Sequence, residues 1–268
     1  MKSMIQALFK RYIQHKVAQS SAALAYYMLF AFFPFILLLN WIFTVLDLPL
    51  SSILEQLYRI VPSEVLQIAR QHIQTPALRN TLAVFTWVLL AVYFFVRSIN
   101  AFLYAIETAC CVTPNRHSAR RFLFSLLLAL GNMLLLFILL ALIVAGKNVL
   151  AQISPALALP PAVVTAWHYG RFLLLAALIF GILLGLYNVA AIGQGICRKK
   201  LLPGALTAAA AWLLISICFS HYVSGMARYS LLYGSLGAVI VLLLWLYLSS
   251  LIIVMGAELN GVLLHHEQ

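Results

Sequence analysis

Charge is scarce in this 268-residue sequence: only 9% of the residues are Asp, Glu, Lys or Arg, whereas 65% are hydrophobic. Soluble domains carry about 25% charged residues. So few polar side chains cannot cover a water-soluble globule, and lipid must therefore be the solvent for most of the chain. The composition excludes an ordinary soluble enzyme or soluble binding domain.

Acidic residues are the scarcest charged type, with 6 Asp and Glu against 17 Lys and Arg, and the formal net charge is +11. In a soluble protein this excess would indicate nucleic-acid binding. Here the basic residues stand in short clusters between apolar runs, which is typical of membrane-protein ends and loops beside anionic lipid. We therefore expect the lipid bilayer and anionic lipids at the cytoplasmic face as partners, and no nucleic acid.

Sequence motifs for metals, cofactors and catalysis are missing. The 4 cysteines form no CxxC pair and no Cys/His ligand spacing. No Walker loop, GxGxxG, GxSxG or HExxH motif occurs. A metal-dependent nuclease needs clustered carboxylates or histidines, whereas the acidic residues here are scattered: Asp47, Glu55, Glu64, Glu107, Glu258 and Glu267. We expect no metal, no cofactor and no enzymatic activity.

Long apolar runs dominate what is present, and six of them can cross a membrane, which takes about 20 helical residues. The predicted fold class is all-α, a single membrane domain (1–268) with six transmembrane helices. The spans are expected at about 20–46, 81–106, 122–146, 172–192, 201–222 and 234–257.

Two further helical regions lie outside the spans. Residues 1–19 combine an apolar face with basic residues, which predicts an amphipathic helix on the membrane surface. Residues 47–80 contain two capped amphipathic patterns, which predict a helical cap on the extracytoplasmic side. The sides follow from Lys and Arg, because the N-terminus and the second and fourth connections are richer in them than the other loops. Both termini are therefore expected in the cytoplasm.

Arg97 lies inside "AVYFFVRSINAFLYAI", residues 91–106. A cation at the centre of a span costs about 2.5–3.5 kcal/mol on the insertion scale and usually faces the bundle interior or a pathway. If the membrane-crossing part of the helix ends near Asn100, however, Arg97 is one turn from the surface and is a snorkelling anchor. The sequence leaves both interpretations open.

Glu258 stands at the end of the last span. It is expected to form an ion pair with Arg97, Arg11 or Lys16, which is the usual structural role of such a carboxylate. The alternative is a gate or a proton carrier.

Asparagines at span depth complete the polar candidates. Asn188 lies at a depth comparable with that of Arg97 and Asn100, and these three residues could line one inner cavity. For Asn132 we expect an interhelical hydrogen bond, typically contributing below about 2 kcal/mol. The candidate pathway residues are therefore Arg97, Asn100, Asn188 and Glu258.

A proline and three glycines are candidate hinge or packing positions. Pro34 is expected to kink the first span. Gly181 and Gly185 form a small-xxx-small pattern, and Gly204 forms another with Ala208. We expect these patterns to serve close packing within the chain. The oligomeric state does not follow from them.

Two stretches, "SAALAYYMLFAFFPFILLL" (21–39) and "LLYGSLGAVIVLLLWLYLSSLIIVMGAELNGVL" (231–263), carry a family likeness. Together they resemble the YihY/BrkB family of bacterial inner-membrane proteins, in which an AxxLAYY-type entry marks the first span and a YG…W-x-Y…GAE pattern marks the last. Asn100 and "LLPGALTAAAAW" match further family positions. The chain departs from the family in lacking a proline near the end of its fourth span.

The resemblance implies a six-span protein of the bacterial cytoplasmic membrane, and it implies no firm activity. A ribonuclease label attached to the family is not supported by the scattered acidic residues. We therefore predict a transporter, exporter or flippase-like protein for a lipid or amphipathic solute, passive or ion-coupled. The alternative is a non-catalytic envelope scaffold that binds a partner.

Overall fold

The structure, a computed structural model, describes residues 2–45, 81–109, 122–136, 177–188, 198–225 and 235–266. These residues are helical apart from the turn at residues 15 and 16. The helices in chain order are α1 (Lys2–Gln14), α2 (Val17–Val45), α3 (Thr81–Ala109), α4 (Phe122–Leu136), α5 (Ala177–Asn188), α6 (Leu202–Gly225) and α7 (Ser235–His266), with a 3-10 turn, Arg198–Leu201, directly before α6.

Within the described residues, four helices are long and apolar enough to cross a membrane: Val17–Leu39, Leu82–Ala109, Leu202–Val223 and Leu236–Leu264. They lie in α2, α3, α6 and α7 and correspond to the first, second, fifth and sixth predicted spans. The shorter apolar helices α4 and α5 fall within the predicted third and fourth spans. The rest of those two spans, and the predicted cap at 47–80, lie outside the described residues.

Helix ends differ from the predicted boundaries. The N-terminal segment is divided at Lys16, whose backbone has a left-handed φ of 52°. The last turn of α1 closes there through a bond from the His15 amide to the Arg11 carbonyl (2.8 Å), and α2 begins at Val17. At the other end α7 continues to His266, beyond the expected limit of 257, because Glu258 and Asn260 find partners inside the protein and do not mark an exit into water.

α7 is central to the packing and contacts α1, α2, α3, α6 and the 3-10 turn, while α2 and α3 form the other extensive pair. The largest core cluster joins these elements, with Phe102 and Ile106 of α3 beside Val254 of α7. Large apolar side chains also cover the outer faces, such as Leu82, which is 75% exposed. A surface of this kind fits lipid and not water.

One end of the bundle gathers α1, the carboxyl ends of α3 and α7 and the start of α6. Arg11 of α1 meets Ala109 at the end of α3, and Asn260 near the end of α7 meets Leu201 and Gly204 at the start of α6. We call this the basal end. It positions the polar groups described next.

Candidate functional site

Glu258 ties α1 to α7 at the basal end. Its side chain is only 1% exposed, and its Oε1 lies 2.7 Å from Nδ1 of His15. A guanidinium nitrogen of Arg11 is 3.6 Å from the other carboxylate oxygen. The same nitrogen donates to the carbonyl oxygen of Ala109 (2.8 Å). One carboxylate and one guanidinium thus connect α1, α3 and α7.

Of the three partners that the sequence proposed for Glu258, Lys16 makes no ion pair with it among the described residues. Arg11 is a partner and Arg97 is not, because Arg97 precedes Ala109 by 12 residues, about 18 Å along α3 at about 1.5 Å per residue. His15 was missed by the sequence reasoning. Its signal was available, since His15 follows Arg11 by four residues and therefore lies on the same side, directly after the end of α1.

Asn260 makes the second basal connection, between α7 and α6. Its side-chain oxygen accepts a hydrogen bond from the Gly204 amide (2.8 Å). Its side-chain nitrogen donates to the carbonyl oxygen of Leu201 (3.1 Å). Asn260 therefore satisfies a backbone donor in the first turn of α6, which has no partner within its own helix. The sequence reasoning did not select Asn260, although an asparagine in so apolar a helix was a visible signal.

Glycines allow α6 and α7 to approach closely beneath this connection. A Cβ added to Gly256 would lie 2.6 Å from the hydroxyl oxygen of Tyr187 and 2.7 Å from both the Ala208 Cβ and the Gly204 carbonyl oxygen. A Cβ at Gly204 would overlap the backbone of Gly256. The Tyr187 hydroxyl donates to the Ile253 carbonyl (2.6 Å) and so adds α5 to the contact.

Gly181 and Gly185, in contrast, are not packing positions in the described part of the chain. An added Cβ at either glycine would meet no atom of the described residues within 4 Å. Both line a groove of about 600 Å³ between α4 and α5, whose walls are otherwise leucine, isoleucine and alanine except at Gly131 and Asn132. Close packing at these two glycines stays a prediction, since among the described residues α4 and α5 leave this face open.

Asn132 lines the same groove and donates from its side-chain nitrogen to the Leu128 carbonyl of its own helix (2.9 Å). The predicted interhelical bond is therefore not the one this nitrogen makes. A side-chain amide in a helix interior readily bonds the carbonyl four residues earlier when no neighbouring helix offers a closer partner.

Arg97 lies on the exposed side of the α2–α3 pair. Its guanidinium donates to the Tyr27 hydroxyl (2.9 Å), and its central carbon is 5.1 Å from the centroid of the Tyr27 ring. Within the described ranges, no carboxylate lies at salt-bridge distance from Arg97. In that part of the chain the guanidinium therefore contacts Tyr27 alone among polar or aromatic partners, through its hydroxyl and its ring.

Aromatic side chains extend from this guanidinium along both helices. Phe30 stacks on Phe94 with ring centroids 5.2 Å apart, and Tyr26 lies 4.7 Å from Phe30. Tyr93 meets Phe94 at 5.1 Å. We call this set the aromatic face: Tyr26, Tyr27, Phe30, Tyr93 and Phe94. Since Tyr26, Phe30 and Tyr93 are between 42% and 55% exposed, the face is accessible from outside the bundle.

Asn100 and Asn188 are engaged elsewhere. The Asn100 side chain donates to the Val96 carbonyl (3.0 Å) and accepts from the Ser125 hydroxyl of α4 (2.8 Å), so it faces α4 whereas Arg97 faces α2. The side-chain oxygen of Asn188 is buried and has no hydrogen-bond partner among the described residues. None of these three residues lines the groove between α4 and α5.

Pro34 lies within α2, which continues through it to Val45. Since proline has no amide hydrogen, the helix loses one backbone bond at this point. Leu38, one turn further, still packs against Val84 and Ala91 of α3. A hinge at Pro34 stays a prediction.

Apolar helices of membrane-spanning length, lipid-compatible outer faces and a polar basal end define a helical integral membrane protein. The sequence profile of the family described as "Virulence factor BrkB" matches residues 8–268. The chain therefore belongs to the BrkB family, and the resemblance noted in its first and last spans is confirmed.

Individual relatives agree with this assignment. The ribonuclease-like protein YfkH of Bacillus subtilis (strain 168) is 28% identical over 263 residues, covering 97% of this chain and 95% of that protein. A UPF0761 membrane protein of Pseudoalteromonas translucida (strain TAC 125) is 36% identical over 63 residues, which is 24% of this chain and 21% of the relative. Another, from Aliivibrio salmonicida (strain LFI1238), is 32% identical over 89 residues. No solved structure matches the chain.

Proposed function

We propose that this protein moves a lipid or amphipathic solute across the bacterial cytoplasmic membrane, passively or coupled to an ion. The observation that carries the proposal is the exposed guanidinium of Arg97, which lies among aromatic and aliphatic side chains about 18 Å along α3 from the basal end. Its importance depends on where the bilayer surface lies.

The exposed surface of α1 supports a bilayer boundary at the basal end. Ile5, Phe9 and Ile13 follow one another every four residues and are 60%, 66% and 60% exposed. Gln6 and Lys10 are exposed on the adjoining face, while Arg11 and His15 point into the bundle. A helix with one face on protein, one apolar face outward and one polar face outward fits the membrane interface.

This boundary supports the site interpretation of Arg97 over the anchor interpretation. The hydrocarbon core is about 30 Å thick, and a residue about 18 Å from the boundary lies near its centre. Reaching the head groups would require a side chain far longer than arginine. Charged residues at such depth are costly and usually mark a substrate or ion pathway. The basal end is, in this proposal, the cytoplasmic side, with both termini there.

A nuclease role is disfavoured by the side chains available to bind a metal ion. The Bacillus subtilis relative is named a ribonuclease-like protein. In the described ranges of this chain no group of three or more His, Cys, Asp or Glu residues could hold a metal ion. We expect purified protein to leave a tRNA precursor uncut in the presence of divalent metal. The scaffold alternative depends on residues 47–80, which the structure does not describe.

The test is a flux measurement in proteoliposomes. Fluorescent phospholipid of one leaflet is bleached by a membrane-impermeant reductant, and the fraction that becomes accessible from the other leaflet is followed in time. We expect protein-dependent lipid exchange in wild type. In Arg97→Ala the exchange rate should fall about tenfold, which is equivalent to about 1.4 kcal/mol. Lys10→Ala removes an exposed basal cation and should leave the rate unchanged. Equal exchange in protein-free vesicles would refute the function.

A further inference from the structure

Two acidic residues belong to the described part of the chain, and neither is placed to neutralise Arg97. Glu258 is held at the basal end by His15 and Arg11. Glu107 is buried and follows Arg97 by 10 residues on the same helix, about 15 Å along its axis. A cation near the bilayer centre therefore lacks an anionic partner from these residues.

The guanidinium also keeps hydrogen-bonding capacity for a ligand. An arginine side chain carries five N–H donors in a planar fork, and in the described structure Arg97 donates one hydrogen bond, to Tyr27. That bond fixes one edge of the fork against α2. Since Arg97 is exposed, its remaining donors are accessible. A fork of this kind matches carboxylate and phosphate oxygens in a bidentate manner, which gives both strength and geometric selectivity.

The surroundings of the fork select an amphiphile over a free ion. The exposed rings of the aromatic face form an apolar strip that begins at the guanidinium and continues from Tyr27 to Phe30 and Phe94. One turn before Arg97 on α3, Tyr93 is 55% exposed. A hydrated inorganic anion would gain nothing from this strip, whereas an acyl chain would.

We propose that Arg97, Tyr27 and the aromatic face form a binding site for an anionic amphiphile, a lipid whose phosphate accepts from the Arg97 fork and whose chain lies along the rings. The inference rests on the proposed function in making this lipid the transported species, but binding is measured independently of flux. A zwitterionic lipid of the same chain length carries a choline cation that Arg97 would repel, and it should bind less tightly.

Native mass spectrometry of the purified full chain tests the site. The probes are phosphatidylglycerol and phosphatidylcholine with identical acyl chains, titrated into the protein in neutral detergent. We expect wild type to prefer phosphatidylglycerol about tenfold, because both lipids offer the phosphate but only phosphatidylcholine brings a second cation beside Arg97. Arg97→Gln should abolish the preference, Arg97→Lys should keep part of it, and Tyr27→Phe should reduce it. Lys10→Gln, which makes the same charge change at the basal surface, should retain it.

Each outcome decides the inference. Equal binding of the two lipids to wild type overturns it without any variant, so a misfolded Arg97→Gln leaves the test intact. An equal loss in Lys10→Gln and Arg97→Gln would show general surface attraction and overturn it as well. Displacement of phosphatidylglycerol by millimolar inorganic phosphate would assign the fork to a free anion. Arg97-dependent binding without lipid exchange would refute the proposed function but not the binding site. Lipid exchange without Arg97-dependent binding would refute the binding site but not the proposed function.

Discussion

Gly256→Ala tests the packing of the basal half of the bundle most directly. The added methyl group would meet three groups from two other helices at 2.6–2.7 Å: the Tyr187 hydroxyl, the Ala208 Cβ and the Gly204 carbonyl. Two of these are backbone or Cβ atoms, which move only with their helix, so α6 and α7 must separate. Overpacking of this kind costs about 1–3 kcal/mol. Displacing the Tyr187 hydroxyl from the Ile253 carbonyl adds about 1 kcal/mol.

The assay is thermal unfolding of the detergent-solubilised protein, followed by circular dichroism. A loss of about 2–4 kcal/mol corresponds to a fall in apparent Tm of about 5–10 °C for a chain of this length. Gly185→Ala is the matched control, because in the described part of the chain its Cβ would meet nothing within 4 Å. Alanine is the better helix former by about 1 kcal/mol, so the control should unfold at the same temperature or slightly higher. Identical Tm values for the two variants would refute the packing argument.

Three further substitutions, with one control, probe single contacts. Glu258→Gln removes the anion facing His15 and should loosen α1, seen as trypsin cleavage of α1 several times faster than in wild type while the helical content stays constant. Tyr187→Phe removes one buried hydrogen bond and should lower the unfolding free energy by about 1 kcal/mol, measured by denaturation in mixed micelles; no change would mean that the hydroxyl is compensated. Asn260→Leu leaves two backbone groups of the neighbouring segment unpaired and should cost about 2–4 kcal/mol in the same measurement. Asn132→Leu, whose donor serves its own helix, should cost below about 1 kcal/mol, and an equal loss in both would contradict this difference.

The long apolar helices could be predicted because membrane crossing is a local property: length and hydrophobicity are read from one stretch of residues. The end of α7 could not be predicted in this way. Glu258 was interpreted as the end of the last span and Asn260 was not selected, because the partners of both residues are distant in sequence. His15 lies 243 residues from Glu258, and Gly204 lies 56 residues from Asn260. Only the folded chain shows that these residues have partners inside the protein.

The same limit separates the two glycine patterns. Gly181 with Gly185 and Gly204 with Ala208 look alike in sequence, but only the second pattern meets a neighbouring backbone in the described structure. A small residue permits close approach, and a facing helix must supply it. The depth of Arg97 was undetermined for a related reason. Its distance from the membrane surface depends on where α1 docks, and α1 docks through Arg11 on the far end of α3.

The basal contacts of α7 also impose an order on biogenesis. Of the helices described here, α7 is the last to leave the ribosome, and it carries the acceptors and donors required by earlier segments: the carboxylate for His15, the amide for Leu201 and the carbonyl for Tyr187. Until α7 inserts into the membrane, these groups lack the partners that α7 supplies. A nascent chain stopped before Ser235 therefore presents its unpaired groups to membrane proteases, whereas insertion of one more helix conceals them together.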